Sequence, residues 1–198
     1  MYLDTAASIN EAIEHGRQAI RLARAVRVSA EYLQETLPDG SIAYRGEHYV
    51  EDTLAGTVDS VVAVDTAYLR RMVMVLVSTE HVPVIRGRRT GFSAAAPDWI
   101  SASPASRART TAIGVASAHF DEIQAWTEAE RQARRSLAFA TVTRMKSAIE
   151  SRTGGTSNGA IIASTATEMR DVSVVERWRD ESRLYVLIRA RSVSAGPE

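Results

Sequence analysis

Residues 172–192 read VSVVERWRDESRLYVLIRARS, and residues 58–78 read VDSVVAVDTAYLRRMVMVLVS. Each is a run of β-branched and apolar residues, a polar break, and a second such run. That pattern predicts an antiparallel strand pair, because branched side chains fit a pleated surface and the polar break supplies a turn. In the first stretch the strands are expected over 58–64 and 71–78. MVMVLV is apolar throughout, which predicts a strand buried on both faces. The second stretch keeps Glu176, Arg177, Trp178, Arg179, Arg189 and Arg191. Its charges predict a face that is wet or bound to a partner, and these six residues form the candidate interaction surface.

What precedes each pair is also similar. From Asp4 to Ala25, residues Ile9, Ala12, Ile13, Gly16, Ala19, Ile20 and Ala23 recur at helical spacing, with Asp4 or Thr5 as N-cap. The period then changes to two at Val26, Val28, Ala30 and Tyr32, which predicts a half-buried strand. Leu37-Pro38-Asp39-Gly40 is a turn, and a short helix is expected over 47–55, stopped by Gly56. Later, TTAIGVAS (110–117) predicts a strand. A helix is expected over 121–140, with Ile123, Trp126, Ala129, Ala133, Leu137 and Ala140 on one stripe. Thr143, Met145, Ser147 and Ile149 then predict an extended segment, and a short helix is expected over 160–170. A shift of 117 residues aligns Glu11 with Glu128, Ala12 with Ala129, Arg17 with Arg134, Ala23 with Ala140 and Arg27 with Arg144.

The expected fold class is therefore α+β, built from two tandem copies of a helix-strand-helix-strand-strand unit. Each copy packs a long and a short helix on a small, mainly antiparallel sheet. The first copy spans residues 1–80 and the second 108–193, with a tail at 194–198. Residues 81–107 are rich in Pro, Gly and Ser and predict a connector, packed down by Trp99. The second copy has an opening strand before its helix and the first does not. An upstream strand in a truncated or processed chain, a unit lacking that strand, or a neighbouring chain supplying the edge all account for this.

The bulk composition, 45% hydrophobic and 24% charged, is that of a globular protein. Basic and acidic residues number 24 each, so no net positive field draws the chain to nucleic acid. Lys146 is the single lysine. The chain has no Cys, which excludes disulfides, thiolate chemistry and Cys-based zinc sites. No apolar run reaches transmembrane length, and the first residues lack the pattern of a leader.

PDWI (97–100), AIGVAS (112–117), the Ala-spaced EAERQARRSLA (128–138) and VVERWRDESRLYVLIRA (174–190) occur in a telling order. Over residues 97–190 the chain resembles the small bacterial envelope lipoproteins named for a twenty-kilodalton outer-membrane lipoprotein, whose relatives include flagellum-associated outer-membrane proteins. The first half resembles them only through the internal repeat. The resemblance implies an α/β envelope domain without catalytic residues, acting as a structural or assembly component. It differs in carrying no lipidation Cys, so membrane attachment is expected only through an anchor outside this sequence. Periplasmic or outer-membrane location is expected if a leader has been removed, and a cytoplasmic one otherwise.

No motif selects a chemistry. TGGTSNGA (153–160) has the glycine spacing of a phosphate loop, but Ala160 and Ile161 stand where Lys and Ser/Thr are needed, so it reads as a turn. His15, His48, His81 and His119 form no local metal pair. GFSAAA around Ser93 lacks the second glycine of a nucleophile elbow. Glu47, Glu51 and Asp52 read as a solvated helix face, and Arg86, Arg88 and Arg89 as a linker charge cluster. The expected function is a non-enzymatic structural or assembly role in the cell envelope, with no cofactor and no metal. Its partners are further copies of itself or other envelope proteins, and not nucleic acid. The alternative is a soluble module that binds a small ligand or peptide where the two units meet.

Overall fold

A computed structural model describes residues 5–36, 42–58, 60–69, 72–80, 95–101, 110–118, 122–153 and 160–195. Helix α1 (Thr5–Arg24) leads into the antiparallel strands β1 (Ala25–Thr36) and β2 (Ile42–Thr53), then the hairpin β3 (Val62–Leu69) and β4 (Met72–Ser78). After the short α2 (Asp98–Ser101) come β5 (Thr111–Ser117), the long α3 (Glu122–Thr153), β6 (Ala160–Arg170), the hairpin β7 (Ser173–Arg179) and β8 (Arg183–Arg189), and β9 (Ser192–Ala195). The fold is α+β. Its strands form three antiparallel sheets, ordered β2-β1-β6-β9, β3-β4 and β5-β8-β7.

The largest sheet draws strands from both halves of the chain. β1 is hydrogen-bonded along one edge to β2 and along the other to β6, with Val28 opposite Glu51 and Arg27 opposite Glu168. Both expected short helices are strands in this sheet: residues 47–53 belong to β2 and 160–170 to β6. Each has a β1 edge to pair with, and a continuous ladder outweighs the weak helix preference of segments only about three turns long. The expected extended segment at 143–149 is helix instead. α3 continues to Thr153 because no Gly or Pro interrupts it before Gly154, and propagating a formed helix is cheaper than starting a new element. The strand pair in the first half also lies later than expected, over 62–69 and 72–78. The predicted turn at Leu37–Gly40 and the loop 154–159 lie outside the described residues, as does most of the 81–107 connector.

Elementary rules account for the elements that were foreseen. α1 places Arg21 and Arg24 in its last turn, where they complement the negative helix terminus. Its last carbonyls also find donors: the amides of Asp171 and Val172 bond to the oxygens of Arg24 and Ala23 at 3.0 and 2.6 Å. Asp171 turns the chain from β6 to β7 with a positive φ of 50°, a region that Asp tolerates better than most residues. The β7–β8 turn is closed by Asp180, whose carboxylate accepts from the amides of Ser182 and Arg183 at 2.7 Å. Those bonds, led by the Ser182 amide, hold its pKa below the ordinary carboxylate value.

One core cluster runs from Val186 and Ile188 of β8, through Ala129, Ala133, Leu137 and Ala138 of α3, to Val26, Val28 and Met169 of β1 and β6. The helix stripe that enters it is Ala125, Ala129, Ala133 and Leu137; Ile123, expected on this stripe, is largely exposed. These alanines let β5 approach the helix at van der Waals distance. A Cβ at Gly114 would fall on the Ala129 carbonyl and the Ala133 amide. Gly114→Ala is therefore expected to cost at least about 3 kcal/mol, since backbone on both sides cannot yield as a side chain would. Gly56→Ala, with open space around it, is expected to change stability by less than about 0.5 kcal/mol. Urea denaturation followed by circular dichroism measures both.

Candidate functional site

A cleft of about 880 Å³ lies between α1 and the β5–α3 layer. α1 contributes Glu11, His15, Gln18, Ala19 and Leu22. The opposite wall is Val115, Ala116 and Ser117 of β5 with Ile123, Gln124, Thr127, Glu128 and Arg131 of α3. Its lining combines apolar side chains with charges of both signs. The rim charges are largely committed: Glu128 accepts from Gln132 at 2.7 Å and lies 3.6 Å from Arg131. Glu130 is held by Arg177 at 2.6 Å. Such a surface can hold an amphipathic segment or small ligand.

Beside the cleft, the side chains of Tyr49, Glu51 and Arg134 tie the first half to the second. Alternation along β2 points Tyr49 and Glu51 to the same side. Arg134 makes a two-pronged contact with Glu51, Nε to Oε1 at 2.7 Å and Nη2 to Oε2 at 2.9 Å. The two side chains are only 7% and 12% exposed. The Tyr49 hydroxyl donates to Glu51 Oε1 at 2.7 Å. The guanidinium groups of Arg131 and Arg135 lie 5.5 and 5.6 Å from the centre of the Tyr49 ring, within cation–π range. Burial works against the Arg134 charge, but the hydrogen bond and charge of Glu51 outweigh it and its pKa stands above the ordinary value. Burial, reinforced by Glu51, pushes the Tyr49 phenol far above its ordinary range.

The six residues of the candidate interaction surface divide between the two faces of the β7–β8 hairpin and its end. Arg177 pairs with Glu130 and lies over the Trp126 ring, 5.8 Å from its centre. Arg179 reaches Glu122 at 2.9 Å. Both therefore fasten β7 onto α3. Trp178 is 8% exposed, with its ring centre 5.4 Å from that of Tyr185, so it backs the hairpin's surface and does not form it. Glu176 and Arg189 are exposed, and Arg191 sits 3.4 Å from Asp171. Of the six, Glu176, Arg177, Arg189 and Arg191 are exposed, Arg179 is half-buried and Trp178 is buried.

The other sequence candidates fall in different places. Glu51 is not part of a solvated helix face but points from a strand into the Arg134 pair, while Asp52 beside it is exposed. His15 lines the cleft and His48 is exposed on β2. His81, His119, Ser93, Arg86, Arg88 and Arg89 lie outside the described residues. Among the described residues no three His, Asp or Glu side chains gather as metal ligands. No family model, no curated protein and no solved structure matches this chain.

Two outcomes follow from the Tyr49–Glu51–Arg134 contacts. Arg134→Met strands a buried carboxylate and is expected to cost about 3 kcal/mol, whereas Glu51→Leu combined with Arg134→Met restores most of that loss. Chemical denaturation of the single and double variants tests it. The Tyr49 phenol holds its proton more tightly folded than unfolded, so its contribution is complete at neutral pH. That contribution is lost as pH rises past the ordinary phenol value of about 10. Tyr49→Phe is expected to flatten the alkaline fall in stability, read from denaturation midpoints between about pH 8 and pH 11.

Proposed function

We propose that this chain is a non-enzymatic structural or assembly component of the bacterial cell envelope, acting through contacts with further copies of itself or with other envelope proteins. The observation that carries the reading is the outer face of the β3–β4 hairpin, turned away from α1. There Val62, Met74 and Leu76 are 40%, 52% and 58% exposed. MVMVLV is thus exposed on one face and half-buried on the other, contrary to the expectation of a strand enclosed on both. Covering a Met or Leu side chain fully is worth roughly 1.5–3 kcal/mol relative to exposure, which favours a partner on this face. The envelope setting comes from the resemblance of residues 97–190 to the outer-membrane lipoprotein family.

A second reading, a soluble module that binds a small ligand or peptide, is favoured by the cleft between α1 and the β5–α3 layer, at the boundary of the two halves. Its volume falls in the usual range for ligand sites, about 300–1,000 Å³.

Light scattering on the purified chain distinguishes assembly from isolation. Multimers are expected at high concentration, and Met74→Lys with Leu76→Lys is expected to return the mass to that of a monomer with an unchanged circular dichroism spectrum. A strict monomer at high concentration counts against assembly.

A further inference from the structure

The hairpins β3–β4 and β7–β8 follow one register. Val62 lies opposite Ser78, and Ser173 opposite Arg189; next come Ala63 with Val77, and Val174 with Ile188. Each leading strand then carries one extra residue, Val64 or Val175, before pairing resumes at Asp65 with Leu76 and at Glu176 with Leu187. A constant spacing of 111 residues relates the two hairpins, bulge included, from 62 and 173 to 78 and 189. A bulge at the same step of the same ladder is a specific structural device and not a by-product of composition. The helices correspond as well. α1 rests on β4, as α3 rests on β8. The spacing of 117 sets Ser8, Ala12, Gly16 and Ile20 against Ala125, Ala129, Ala133 and Leu137.

The two halves differ at one edge. β8 is covered on its far side by β5, while the far edge of β4 has no strand among the described residues. The difference is written into the burial. Ala125, Ala129, Ala133 and Leu137 are at most 1% exposed, as are Leu184, Val186 and Ile188 of β8. Their counterparts Ser8, Ala12, Gly16 and Ile20, and Val73, Val75 and Val77 of β4, are all only half-buried.

We propose that the far edge of β4, which has no strand among the described residues, is an acceptor site beneath α1 for one extended, uncharged peptide strand of a partner protein, added antiparallel to β4 as β5 is added to β8. This rests on the interaction role proposed above and names its site. The backbone of β4 supplies the hydrogen bonds, and the half-covered faces of α1 and β4 supply the apolar gain. The fit also specifies the strand. Where β5 meets α3, Ala112, Gly114 and Ala116 point inward and are buried. At α1, Gly16 is already packed against Val77 of β4, and Ala12 stands where Ala129 meets Gly114, so the partner strand takes Gly or another small residue where it passes Ala12. A second copy's β4 does not meet the need. Antiparallel pairing of two β4 edges keeps both α1 helices on the same face of one sheet, above strands about 5 Å apart. Packed helices require roughly 8–10 Å. The occupant is therefore a strand that brings no helix of its own on that face.

The test uses the whole chain and a synthetic peptide, TTAIGVAS, copied from residues 110–117. Hydrogen exchange of the β4 amides that face away from β3 is expected to slow about tenfold or more at saturating peptide. The same peptide N-methylated at alternate residues is expected to bind at least about tenfold more weakly, because only the backbone bonds are removed. A peptide with Val in place of the central Gly is expected to weaken similarly. Absence of protection in β4, protection confined to other strands, or equal binding by the N-methylated peptide overturns the proposal. Protection of β4 that grows with protein concentration alone assigns the edge to a second copy and overturns it too. Assembly that depends on Met74 and Leu76, with no peptide effect on β4, removes the acceptor site and leaves the assembly role standing.

Discussion

β1 is the strand on which the rest of the molecule depends. It is paired along both edges, by β2 from its own half and β6 from the other. Val26 and Val28 are wholly buried from it into the core. Every further link between the halves builds on that shared sheet. The pairing of β2 brings Glu51 to Arg134, and the pairing of β6 brings Glu168 to Arg27 at 2.7 Å. The turn after β6 delivers the amides that cap α1. An α-helix and a two-stranded hairpin are marginal on their own; β4 packs on α1, and α1 is fastened to this sheet through β1 and the turn after β6.

The two halves then part company. In the second, β5 adds a third strand beside β8, Gly114 lets it seat on α3, and Arg177 and Arg179 of β7 reach the helix. The first keeps the same hairpin register and the same helix placement but leaves its apolar faces half-covered. Exposed apolar surface on the β3–β4 face costs hydration free energy in isolation. Selection tolerates such a cost most readily where another molecule removes it, which favours the less complete half as a contact surface; on the β7–β8 hairpin Arg177 and Arg179 pair with α3, while Arg183 and Arg189 are exposed.

Much of the fold could be read along the chain. The Ile9–Ala23 period specifies α1, the alternation after Val26 specifies β1, and AIGVAS specifies β5, because each carries a clean period over its own length. The misreadings came where periods overlap. Thr143, Met145, Ser147 and Ile149 alternate like a strand, yet nothing breaks the helix before Gly154. EHYVED (47–52) has the polarity of a helix surface, and only the presence of β1 alongside makes it a strand. The site was less legible. Glu51 and Arg134 lie 83 residues apart, and an acidic residue in a polar run gives no sign that its partner is a buried arginine. The cleft is assembled from α1, β5 and α3, none of which shows a wall of it alone.

The sequence by itself determined the α+β class, the absence of thiol chemistry, the neutral balance of charge and the two strand pairs, since composition and short-range period are properties of the local chain. Only the tertiary structure decided that β1 joins the halves, that MVMVLV shows one face to solvent, that Arg177 and Arg179 reach α3, and that β4 has a strand on one edge only among the described residues. Those outcomes turn on which backbone edges meet, and backbone hydrogen bonds are the same for every residue, so pairing leaves almost no mark on the side chains that a sequence records.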